Sequence, residues 1–120
     1  MNFKIEDIET LEAKKKQKIQ KLNDLFRQNF IGGQVVATRG IVALDKKIQV
    51  EICKKVKNFN NFTFDNDPHQ EHDFGKVEVA GIKCFWKIDY YGKDLEHHSL
   101  DPSDSKITER VMTIMLAKDY

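Results

Sequence analysis

In the stretch FGKVEVAGIKCFWKIDYY, residues 74 to 91, apolar and polar side chains alternate on both sides of Ala80-Gly81. A two-residue pair of this type closes a β-hairpin, and the alternation puts one set of side chains on each face. Setting Val79 opposite Ile82 pairs Val77 with Cys84 and Gly75 with Trp86, an apolar face that Ile88 and Tyr90 continue. The same register sets Glu78 against Lys83, a cross-strand pair of opposite charge. Two independent patterns therefore agree on one register, and the apolar face they create needs a cover.

The rest of the chain supplies one. Ile5, Ile8, Leu11, Ile19, Leu22, Leu25 and Phe26 recur at three-to-four spacing with no Pro or Gly before Gly32, which predicts a long amphipathic helix ending near Phe30. The Gly-bounded run GGQVVATRG reads as a strand. Asp45 then stands where a helix N-cap would, and Ile48, Ile52, Val56 and Phe59 line one face of the helix that follows. Its other face carries Lys46, Lys47, Lys54, Lys55 and Lys57, the most basic stretch of the chain. NNFTFDND reads as a short strand running into a turn. Near the end, Asp101 with Pro102 predicts a helix start, and Ile107, Val111, Ile114, Met115 and Lys118 fall on one face of a C-terminal helix, with Met112 and Met115 as packing residues. The order α-β-α-β-β-β-α predicts an α+β fold: a single domain over residues 1–120, with residues 1–20 as a helical extension, and helices covering one face of a small, mostly antiparallel sheet.

Composition narrows the function classes. A chain of 120 residues, 40% hydrophobic and 32% charged, has the make-up of one globular domain and not of a disordered segment. Its apolar runs are far shorter than the roughly 20 residues that span a bilayer, so no membrane span is expected. The opening MNFKIEDIET mixes charges where a secretory signal has an apolar core. Cys53 and Cys84 lack metal-type spacing and suit reduced thiols, so the expected compartment is the cytoplasm, with no cofactor. A net charge of +1 argues against a protein devoted to nucleic-acid phosphates. The charge is unevenly spread, since residues 1–60 carry a net +6 and residues 61–120 a net −5. Lys14 to Lys18 read as a solvated helix face, and the oligomeric state is left open.

The densest polar stretch is NDPHQEHDFG, residues 66 to 75. Extending the hairpin register backwards sets His72 opposite Asp89, and a carboxylate beside an imidazole orients it as a general base or metal ligand. The catalytic candidates are therefore His72, Asp73 and Asp89. The metal-ligand candidates are His69, His72 and Asp73, although His-x-x-His outside a helix is a weak signal and no metal is favoured. The partner-binding candidates are Asp65, Asp67, Glu71 and Asp73 on the acidic side and Lys46, Lys47, Lys54 and Lys55 on the basic side. Against these stands a purely architectural reading, in which Asn66, Asp67 and Pro68 form a turn and His72 with Asp89 locks the register. That reading is preferred over a hydrolase, a metal site or a nuclease.

NDPHQEHDFG, FWKIDYY and RVMTIMLAKDY carry a resemblance to the bacterial family of small proteins known as domain of unknown function 3768. It runs from LNDLFRQ through GGQVVATRGIVAL, KIDYY and SLDPSD to the carboxyl terminus, with Gly92 departing from the acid usual after KIDYY. Family members look like short stand-alone proteins found among plasmid and phage genes. The resemblance thus implies a non-enzymatic protein-interaction module, a mobile-element-encoded inhibitor of a host nuclease defence complex of the anti-CRISPR or anti-restriction type. The expected partner is a protein, such as a nuclease or CRISPR effector complex. The alternatives are a small metal-dependent hydrolase or nuclease centred on the NDPHQEHDFG loop, and a nucleic-acid-binding accessory protein.

Overall fold

The computed structural model describes Asn2 and residues 4–120. Strands β2 (Phe74–Val79) and β3 (Ile82–Tyr91) form the hairpin, with Val79 on Ile82, Glu78 on Lys83, Val77 on Cys84 and Gly75 on Trp86 as the alternation predicts. Ala80 and Gly81 turn with φ of 51° and 78°, the two left-handed residues of a type I′ hairpin loop. Cys84, Trp86, Ile88 and Tyr90 are buried on one face. Gly75 lies under the indole of Trp86: a Cβ there would stand 2.5 Å from Nε1, so only a glycine lets the ring lie against β2.

The C-terminal segment corrects the expected helix. Glu109–Leu116 is a strand, β4, antiparallel to β3 on one side and parallel to β1 (Gly33–Ala37) on the other, giving the sheet order β1-β4-β3-β2. ERVMTIML satisfies a period of two as well as a helical one. Arg110, Met112, Ile114 and Leu116 turn inward at alternate positions, and β-branched Val111, Thr113 and Ile114 suit a pleated surface. As a strand the segment pairs with the facing edges of both β1 and β3, which a helix would leave open. Asp101 likewise starts no helix: its Oδ1 accepts from the Ser103 amide at 3.1 Å and hydroxyl at 2.6 Å, closing a turn. NNFTFDND is a turn and not a strand, with the Thr63 amide donating to Asn66 Oδ1 at 2.8 Å. The chain ends in a 3-10 turn, Ala117–Asp119, that brings the Tyr120 ring to 5.8 Å from Phe74 and 5.2 Å from Phe85.

Three helices complete the α+β fold. Helix α1 (Ile5–Asn29) ends on Phe30 in the left-handed conformation, short α2 (Arg39–Val42) follows β1, and α3 (Lys46–Lys57) buries Ile52 and Val56. Only the second half of α1 packs on the domain, through Ile19, Asn23, Phe26 and Arg27. Its first turns stand clear, leaving Ile5, Ile8 and Leu11 between 50% and 71% exposed, and the molecule is 60 Å long but 32 Å and 23 Å across. Among the described residues no helix is long and apolar enough to cross a membrane. Phe59 and Phe62 meet Trp86 edge-on, with centroids 5.5 and 6.1 Å away, where the loop after α3 closes over the sheet.

Gly75→Ala tests the close approach of indole and strand. Displacing a buried ring by one methyl group is expected to cost about 1–3 kcal/mol. Chemical denaturation of the variant should show that loss, and an unchanged midpoint would mean that the Trp86 ring is free to shift.

Candidate functional site

The loop between α3 and β2 folds inward under α1. Asp67 is 5% exposed, and its Oδ1 accepts the backbone amides of Glu71 at 3.0 Å and His72 at 3.1 Å. Gln70 and His72 adopt positive φ of 58° and 56°, which curls the chain tightly enough for one carboxylate to hold both amides. The curl also ends the ladder. Pairing extends only to Asp73, whose carbonyl accepts from the Ile88 amide at 2.8 Å, and His72 leaves the sheet.

His72 therefore does not face Asp89. Its Nδ1 lies 2.9 and 3.0 Å from the two carboxylate oxygens of Asp24 on α1, its Nε2 is 3.7 Å from Asp67 Oδ2, and its ring stacks on Phe62 at 3.8 Å with planes 2° apart. Asp89 instead pairs with Lys87 at 3.0 Å, and this hydrogen bond raises the lysine pKa. Neither residue is buried. The extrapolated register assumes an extended backbone through His72, and the left-handed turn there breaks it.

A second cluster adjoins the first. The Asn23 side-chain amide donates to Glu71 O at 2.9 Å and to the Tyr90 hydroxyl at 2.7 Å, while Asn23 Oδ1 accepts from Arg110 Nε at 2.7 Å. The Tyr90 hydroxyl donates in turn to Glu71 Oε1 at 2.8 Å, and Arg110 donates to Pro102 O at 2.6 Å and stacks over the Tyr90 ring. Arg27 extends the first cluster towards the core, bonding Asp24 at 2.9 Å and the Phe59 carbonyl at 3.1 Å while lying 5.2 Å from the Phe62 and Trp86 rings. Burial pushes the Tyr90 hydroxyl above its ordinary range, with the Glu71 charge adding to it, and burial lowers the pKa of Arg110. Asp73 is raised to about 6, first by burial and then by the neighbouring Glu71 charge.

Of the residues the sequence singles out, Asp67, Glu71, His72 and Asp73 share this region, and Asp65 and His69 point to solvent. His69, His72 and Asp73 do not bring ligand atoms together. The group of described residues that does is Asp94, Glu96 and His97, exposed and with ligand atoms within 4.8 Å of one another. There Asp94 accepts the Glu96 and His97 amides at 3.0 and 3.1 Å and pairs with the His97 ring at 2.8 Å, a bond that holds its carboxyl down at about 2. These bonds account for the cluster as a self-satisfied turn. Lys46, Lys47, Lys54 and Lys55 are exposed along α3.

Asn23, Asp24, Arg27, Tyr90 and Arg110 escape a reading of the sequence that looks for reactive residue types. One signal was available: Asn23 and Arg27 lie four apart beside Ile19 and Phe26, polar groups on the stripe that buries α1. A polar residue in such a place must find buried partners.

The protein-family model for a protein of unknown function (DUF3768) matches residues 37–119, more than half of the chain. The chain belongs to the DUF3768 family. The match is narrower than the resemblance noted from LNDLFRQ onward, and it holds the inward-folding loop, β2, β3 and β4, whereas Asn23, Asp24 and Arg27 lie before it. No curated protein and no solved structure matches the chain. In this DUF3768 chain Asn23 and Asp24, which bond to Glu71, Tyr90, Arg110 and His72, thus come from a helix outside the matched segment.

Two outcomes test the site. Asn23→Leu fills the space but leaves Arg110 Nε without its acceptor, and should cost about 1–3 kcal/mol in denaturant, more than Tyr90→Phe. For Asp73 the folded pKa, about 6, lies above the ordinary aspartate value of 3.8. The folded state therefore holds the proton more tightly, and the contribution of Asp73 to stability is complete at low pH and lost as pH rises through about 6. Asp73→Asn should raise the melting temperature at pH 7 and lose that advantage towards pH 4. An equal shift at both pH values would rule the linkage out.

Proposed function

We propose that this DUF3768 protein works by binding another protein and not by turning over a substrate. The observation that carries this reading is the contrast between its two charged stretches. In the acidic loop, Asp67, Glu71 and His72 spend their polar atoms on backbone amides, Tyr90 and Asp24, so the groups suited to chemistry are engaged in holding α1 to the sheet. On α3, by contrast, Lys46 and Lys47 face solvent beside Val50, which is itself 53% exposed, and Lys54 lies a turn further on in an exposed pair with Glu51 at 3.4 Å. A mainly basic helix face with an exposed apolar side chain offers a partner both charge steering and a small area to desolvate.

The partner of matching chemistry is a protein with an acidic surface patch. Lys55 belongs less to that surface, since its ammonium donates to Glu78 O at 2.7 Å. In its narrower form the reading makes the protein an inhibitor of a nuclease complex, encoded on a mobile element and acting in the cytoplasm. A partner surface built from the acids between Asp65 and Asp73 loses support, because of these only Asp65 is exposed. A reducing compartment suits the free thiols of Cys53 and Cys84.

The test is affinity capture from the host with the intact protein and with Lys46→Glu/Lys47→Glu/Lys54→Glu. The expected result is a protein retained in stoichiometric amount by the intact form and lost from the variant at unchanged melting temperature. Equal retention by both would sink the α3 surface. Retention of nucleic acid with an affinity that falls steeply with salt would favour the nucleic-acid-binding alternative.

A further inference from the structure

The first turns of α1 are a surface that the domain itself does not use and that is distinct from the α3 face. Helical spacing places Ile5 and Ile8 on the stripe that continues through Ile19 to Phe26. Ile19 and Phe26 are buried, while Ile5 is 71% and Ile8 50% exposed. Where the arm leaves the domain, a groove of about 750 Å³ opens between it and the loop at Leu100. Ile8, Lys15, Ile19, Glu71 and Pro102 are among its walls. Leu100 stands at its mouth with 96% of its surface bare.

The charges on the arm identify what fits it. From Ile5 to Ala13 the helix carries four acids, Glu6, Asp7, Glu9 and Glu12, and no base. From Lys14 to Lys21 it carries five lysines and no acid. Such a helix is its own complement, but only when reversed. A parallel pair would stack acids on acids and lysines on lysines, whereas an antiparallel pair sets each acidic half beside the other lysine half. We propose that two copies of this chain associate through antiparallel α1 arms, each arm seating Ile5 and Ile8 in the groove of the other copy near Ile19 and Leu100. Glu9 and Glu12 of one copy then run alongside Lys15 and Lys16 of the other. Because the contact is two-fold symmetric, it closes at the dimer and buries both bare apolar stripes.

Light scattering coupled to gel filtration on the full chain reads the outcome. The intact protein should show twice the chain mass of 14.0 kDa and dissociate on dilution. Glu9→Lys/Glu12→Lys and Lys15→Glu/Lys16→Glu each put like charges face to face, and each should weaken the dimer by about tenfold or more. Mixed in equal amounts, the two variants should recover a dimer, because each then meets the opposite charge. That rescue also shows that both variants fold. A protein that stays at the chain mass at high concentration would overturn the proposal and leave the arm to a foreign helix. So would a dimer indifferent to both variants, or two weakened variants that fail to rescue one another. Ile8→Asp, a change at an exposed position, should abolish the dimer at unchanged melting temperature. None of these readouts involves Lys46, Lys47 or Lys54, so the α3 reading stands or falls separately.

Discussion

The side-chain amide of Asn23 joins three parts of the chain that are remote in sequence. It donates to the loop at Glu71 and to β3 at Tyr90, and accepts from β4 at Arg110, with separations of 48, 67 and 87 residues. A helix lying over an apolar sheet face can slide or rotate at little cost, since dispersion and burial have no direction. A buried amide with every bond made does have direction. Its geometry fixes how α1 sits, and Asp24 and Arg27, next to it on the helix, then fall where His72, Phe59 and Phe62 can receive them. The cost of a gap is correspondingly high, because Arg110 would be left with a buried charge and one fewer acceptor.

What was legible in the sequence was what depends on near neighbours. The β2–β3 register follows from alternation and from a two-residue turn, so every pair from Gly75–Trp86 to Val79–Ile82 can be written down without coordinates. The length of α1 and the inward face of α3 follow in the same way from three-to-four spacing. β4 was misread because ERVMTIML fits both periods, and the choice between them lies in the vacancies beside β3 and β1, which no local window contains. His72 was misplaced for a different reason. Extrapolating a strand assumes extended backbone, and nothing in QEHDF announces the positive φ at Gln70 and His72. Arg110 alternates correctly with Met112 and Ile114, yet a charge at a core position reads as a fault until Asn23 and Tyr90 are seen to receive it.

The two buried guanidinium groups settle their charges differently. Arg27 has a carboxylate, Asp24, within bonding distance and two aromatic faces beside it. Arg110 has only neutral acceptors, Asn23 and Pro102, with the Tyr90 ring across its face, and its nearest balancing charge is Glu71 on the far side of the tyrosine hydroxyl. Hydrogen-bonded intermediaries thus carry the compensation that a direct ion pair supplies elsewhere. Asp73, beside this chain of groups, has its pKa raised first by burial and then by the neighbouring Glu71 carboxylate.

The parallel pairing of β1 with β4 bears on how the chain assembles as it is made. Gly33 has Arg110 as its ladder partner, and Ala37 has Ile114, so β1 finds no neighbour in the nascent chain until β4 has left the ribosome. The β2–β3 hairpin can close early, on local contacts alone. The rest must wait with a bare strand edge and an apolar helix stripe in solution, the state in which chaperone capture and misassociation compete with folding. β4, which emerges after β1, β2 and β3, is the strand that joins them into one sheet, so the sheet forms late and largely at once.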